Sequence, residues 1–76
     1  MNTVTMDLLR RGEQASVVRV DLANPSAKRL ADLGFVPGAI VQMLRPGRPC
    51  IVRLSNSRLG LSDCLQKSVM LRRAGD

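Results

Sequence analysis

Leu30–Val41 reads L-A-D-L-G-F-V-P-G-A-I-V. Gly34, Pro37 and Gly38 interrupt an otherwise apolar run, and that pattern admits two readings. Glycines can cradle a phosphate, or they can turn a corner. A phosphate cradle needs them after a strand and before a helix N-terminus, where free backbone N–H groups and the helix dipole attract an anion. Here they follow helical sequence and precede strand sequence, at the wrong end of the dipole. The stretch is therefore read as a helix–strand corner. Gly34 stops the helix in the left-handed conformation, and Val36-Pro37-Gly38-Ala39 makes a type II turn, with Pro second and Gly third. Phe35, just past the stop, is placed to pack back on the last helical turn.

Working upstream, Asn24-Pro25 opens that helix. Asn is a favoured N-cap, and Pro at the first helical position loses no hydrogen bond. The spacing predicts a helix to about Leu33, with Ala27, Leu30 and Ala31 toward the core and Lys28, Arg29 and Asp32 toward water. Ala15–Leu22 is Val-rich and reads as a strand, with Val18, Val20 and Leu22 on its inner face. Met6–Arg11 suits one helical turn, started by Thr5 and ended by Gly12.

Downstream, Ala39–Leu44 reads as a strand, and Pro46-Gly47 as a turn. Cys50–Leu54 is a third strand with Cys50, Val52 and Leu54 inward. Ser55-Asn56-Ser57 is a tight turn. Arg58–Leu61 is a fourth strand with Leu59 and Leu61 inward. Ser62-Asp63-Cys64 reads as a brief cap and turn, and Val69–Leu71 as a fifth strand. Residues 1–76 thus form a single, mainly β domain. It is expected to be a small closed or nearly closed barrel of about five short strands, with one short helix between the first and second. Closure hides strand edges that so small a sheet would otherwise expose.

Composition limits the chemistry. The chain has 76 residues, 45% of them apolar, with Phe35 as the only aromatic. There is no histidine, which removes the commonest general acid/base and a common zinc ligand. Ser-His and Cys-His catalysis are thereby excluded, and no spacing brings two carboxylates together, so the chain is read as a non-enzyme. Cys50 and Cys64 lack C-x-x-C spacing; a disulfide between them is one reading, and two buried or semi-buried free thiols in a reducing, cytoplasmic setting are the stronger one. The N-terminal sequence has no apolar segment of secretory type, and no run is long enough to span a bilayer.

Twelve Lys/Arg against six Asp/Glu give a net charge of +6. Such an excess draws anionic partners. A basic small barrel that binds nucleic acid is one reading, but such barrels stack bases on aromatic platforms, and one Phe does not make a platform. A protein-binding face is the stronger one. If Val41, Met43, Val52 and Leu54 point inward, then Ile40, Leu44 and Ile51 point outward, fringed by Arg45, Arg48 and Arg53. An apolar patch with a basic rim is suited to a partner protein. Asp63 and Cys64 are the candidates for a weakly held divalent ion, Fe(II) or Zn(II). The competing reading makes Asp63 a turn cap and Cys64 a packed side chain. No cofactor is required.

Three segments together resemble the FeoA family: M-D-L-L-R-R-G-E-Q-A-S-V-V-R-V, R-L-A-D-L-G-F-V-P-G-A-I-V and R-L-G-L-S-D-C-L-Q-K-S-V-M-L. Their order and spacing cover nearly the whole chain. The resemblance implies a bacterial SH3-like β-barrel acting as a cytoplasmic accessory protein of ferrous-iron uptake. Its implied partner is the cytoplasmic region of FeoB, a membrane transporter with a G-protein domain, so contact with the membrane is indirect. It also implies kinship with the SH3-like domains of iron-dependent repressors, and so a metal-binding regulatory module as an alternative. The expected partner contacts are Phe35 at the corner, Ile40, Leu44, Ile51 and the surrounding Arg45, Arg48 and Arg53. Gly47-Arg48-Pro49 departs from the family's Gly-Asp-Pro, and Asn56 stands where the family often has Gly.

Overall fold

The computed structural model describes residues 3–73. Six strands form one antiparallel sheet: β1 (Thr3–Thr5), β2 (Gln14–Val20), β3 (Ile40–Arg45), β4 (Cys50–Leu54), β5 (Ser57–Leu61) and β6 (Val69–Arg73). Their order across the sheet is β1-β6-β2-β3-β4-β5. Two short helices complete the fold: α1 (Lys28–Asp32), entered through a 3-10 turn at Pro25–Ala27, and α2 (Asp63–Lys67). A further 3-10 turn at Met6–Leu8 follows β1. The sheet curls around a core of Met6, Leu9, Ala15, Val17, Leu30, Phe35, Val41, Met43, Cys50, Val52, Leu61, Val69 and Leu71, with smaller contributions alongside. It is not closed by hydrogen bonds. Among the described residues β1 and β5 are its two edges.

The Leu30–Val41 corner has the expected form. Asn24 caps the helical segment, its side chain accepting the Ser26 N–H at 3.0 Å. Gly34 sits at φ +112. Its N–H donates to the Ala31 carbonyl at 3.1 Å, while the Phe35 N–H donates to the Leu30 carbonyl at 3.0 Å. That pair of bonds is the Schellman arrangement, which satisfies carbonyls left free at a helix end. The type II turn follows, with the Ala39 N–H on the Val36 carbonyl at 3.0 Å and Gly38 at φ +91. The turn is then clamped to β2. The Gly38 N–H donates to the Val17 carbonyl, and the Val17 N–H to the Ala39 carbonyl, both at 2.8 Å.

Several expectations are revised. The inner residues of β2 are Ala15 and Val17, while Val18 is half-buried and Leu22 lies beyond the strand at 58% exposure. The cause is a β-bulge between Val17 and Arg19, which places Val17 opposite Leu71 and Val20 opposite Val69. An extra residue resets the alternation of faces, so a count begun at Val18 fails upstream of the bulge. Ala31 faces water instead of the core. Gly12 (φ +83) does not end the helical turn. It is the third residue of a separate turn, closed by the Glu13 N–H on the Arg10 carbonyl. The Thr5 hydroxyl donates to the Asp7 carboxylate and makes no cap to a backbone N–H.

Further along, Ser62-Asp63-Cys64 opens a five-residue helix, with the Ser62 hydroxyl accepting the Leu65 N–H. In the turn between β4 and β5 the positive φ falls on Ser55, one residue before Asn56. β1 was not anticipated: it pairs Thr3, Val4 and Thr5 with Arg72, Leu71 and Met70 of β6.

Candidate functional site

The outer face of β3, β4 and β5 follows from strand alternation and register. Val41, Met43, Val52 and Leu54 are buried, so their neighbours face out. Ile40 is 55% exposed and lies opposite Ser16 of β2. The next row across the sheet is polar. Gln14 pairs with Gln42, Gln42 with Arg53, and Arg53 with Arg58. Beyond it, Ile51 pairs with Gly60 and stands opposite Arg45, because a register shift falls between Met43 and Arg45.

The seven expected contact residues are therefore not one patch. Ile40 and Arg53 line a shallow outer groove of about 420 Å³, together with Gln14, Gln42 and Ser55. Ile51, Arg45 and Arg48 line a second hollow of about 390 Å³ around the Pro46–Pro49 loop. Leu44, the residue at the register shift, is half-buried. Phe35 must be withdrawn from the surface. It is 1% exposed and sits in the core, because its apolar ring packs where the helix-end hydrogen bond to Leu30 directs it.

Asp63 and Cys64 do not assemble into a metal centre. Among the described residues no group of three or more His, Cys, Asp or Glu side chains could hold an ion. Cys64 is an exposed free thiol. The Asp63 carboxylate already faces the Lys67 ammonium at 3.3 Å and the Arg48 guanidinium at 3.7 Å. Two cations beside a carboxylate oppose a third. Cys50 is a buried free thiol, and loss of hydration raises its pKa, which keeps it protonated.

Sequence reasoning missed a third concavity. Ser26, Arg29, Leu30, Asp32 and Leu33 of the α1 segment face Gly60 and Leu61 of β5 and Leu65 of α2 across a groove of about 540 Å³. It depends on α2 being a helix. The available signal was Ser62 as a cap followed by Asp63 in the first turn, with Leu61 and Leu65 four apart. Gln66 of α2 anchors this side of the molecule. It is 2% exposed, and its amide donates to the Gly47 carbonyl at 2.9 Å and to the Leu61 carbonyl at 3.0 Å.

The family model for the FeoA domain matches residues 4–73. The chain belongs to the FeoA family. That family is associated with ferrous-iron transport. Stenotrophomonas maltophilia FeoA, solved in complex with zinc, is 33% identical, with 90% of this chain and 88% of that one aligned at a TM-score of 0.82. It is described as a procaryotic SH3 domain protein and as a candidate ferrous iron transport activating factor. FeoA from Chlorobium tepidum is 30% identical over 96% of this chain and 73% of that one, at a TM-score of 0.83. A manganese-dependent transcriptional repressor shares the fold alone, at 16% identity and a TM-score of 0.82. The match spans 93% of this chain and 41% of the repressor. No curated protein matches the sequence. The fold is thus the SH3-like one that the resemblance implies, built with six strands where five were expected. Among the described residues no helix is long and apolar enough to cross a membrane.

Proposed function

We propose that this chain is a non-enzymatic, cytoplasmic accessory protein of ferrous-iron uptake that acts by docking on the cytoplasmic region of the FeoB transporter. The observation that carries the reading is the outer groove of β3 and β4, where an exposed Ile40 lies beside Arg53. An exposed branched apolar side chain with a guanidinium at its edge suits recognition of a protein, with the apolar contact supplying affinity and the charge supplying orientation. The description of the Stenotrophomonas maltophilia relative as a candidate ferrous iron transport activating factor agrees with an accessory role. The absence of histidine from the sequence supports binding over catalysis. No resident metal belongs to this reading, since the Asp63 carboxylate is shared between the Arg48 and Lys67 cations.

The test is capture of FeoB's cytoplasmic region by the full chain and by Ile40→Asp. The side chain is mostly in water, so the variant keeps its fold, which circular dichroism checks. Capture is expected to be lost. Undiminished capture by a folded Ile40→Asp chain would overturn the assignment of this face.

A further inference from the structure

Arg53 and Arg58 are direct cross-strand partners at the β5 edge of the sheet, and both face solvent. Like charges placed directly opposite one another weaken an antiparallel pair. Nothing within the described residues relieves them. The ion pairs formed are Arg48–Asp63, Lys67–Asp63 and Arg73–Glu13, and neither Arg53 nor Arg58 takes part. The imbalance extends through the sequence. Between Asp32 and Asp63 there are four arginines, Arg45, Arg48, Arg53 and Arg58, and no acid. Arg48, in the loop between β3 and β4, is met by Asp63, whereas Arg45, Arg53 and Arg58 of β3, β4 and β5 enter no ion pair among the described residues.

From this we infer that the outer face of β3–β5 takes an acidic protein segment, with carboxylates seated on the Arg53–Arg58 pair and an apolar side chain on Ile40. The inference rests on the partner-binding reading above and specifies the chemistry of the partner. Two observations select a peptide over other polyanions. The only aromatic side chain is buried, so bases have no stacking platform. The arginine row is bounded by Ile40 on one side and Ile51 on the other, which a phosphate chain would leave unused.

The full chain is titrated with a labelled peptide alternating Glu and Leu, with the counterpart carrying Lys for Glu, with a single-stranded oligonucleotide and with phosphatidylglycerol vesicles. Binding of the acidic peptide is expected, together with amide shifts at Ile40, Arg53 and Arg58. The charge reversal Arg58→Glu is expected to weaken it roughly tenfold or more, since charge-assisted hydrogen bonds are lost. The same variant replaces repulsion with an Arg53–Glu pairing, so its Tm should be no lower than that of the parent, and misfolding cannot account for the loss. Arg58→Glu binding as tightly as the parent would overturn the inference. So would tighter binding of the oligonucleotide or the vesicles than of the acidic peptide, or shifts confined to other strands.

Capture of FeoB's cytoplasmic region separates this inference from the reading it rests on. If Arg58→Glu still captures FeoB, the FeoB reading stands and the acidic-segment inference falls. If the parent binds the acidic peptide through Arg58 but does not capture FeoB, the inference stands and the FeoB reading falls.

Discussion

The Phe35 N–H donates to the Leu30 carbonyl at 3.0 Å, and the two side chains are both buried in the same core cluster. One backbone bond thus reverses the chain and delivers the only aromatic side chain to the interior. It depends on the residue between them. Gly34 holds φ +112, and a Cβ added there would lie 3.2 Å from Leu54 Cδ2.

Gly34→Ala is therefore expected to destabilise the fold by about 1–3 kcal/mol, combining backbone strain with a tight contact. Urea unfolding reads this as a lower midpoint at unchanged slope. An unaltered midpoint would show that the corner reforms without the left-handed residue.

Gln66 links α2 to two other parts of the molecule through its hydrogen bonds to Gly47 and Leu61. Replacing it by Leu keeps the volume and removes the donor, leaving two carbonyls to find other partners in a buried setting. A loss of about 1–3 kcal/mol is expected. Hydrogen exchange should rise in α2 and in the Pro46–Pro49 loop before it rises in β2 or β6. Uniform change across the chain would argue against a local anchor.

Glu13 gives the fold a pH-dependent contact. Its carboxylate accepts the Arg10 N–H at 2.9 Å and meets the Arg73 guanidinium at 2.8 Å. The Arg10 backbone bond, followed by the Arg73 charge, holds its pKa below the ordinary carboxylate value. A group depressed in the folded state adds stability above its unfolded pKa and loses it as pH falls through the folded one. The Tm gap between the parent and Glu13→Gln should be widest near neutral pH and should close in acid. A gap that stays constant with pH would place the effect outside Glu13 ionisation.

The helix–strand corner was legible in the sequence. A glycine after a helix and a Pro-Gly pair before a strand act over a handful of residues, through backbone sterics that no distant contact needs to supply. The alternation of Cys50, Val52 and Leu54 was legible for the same reason, since β4 carries no bulge. The inner face of β2 was not, because the bulge after Val17 exists only in pairing with Leu71 and Met70 of β6. Tertiary structure likewise decided that α2 closes a groove against α1, and that Ile40 and Ile51 fall on opposite sides of a polar row. The pairing of Arg53 with Arg58 is a matter of register, which the short Ser55-Asn56 connection sets locally by placing Leu54 opposite Ser57, while it is the burial of Val52 and Leu54 in the folded sheet that turns both arginines out to solvent.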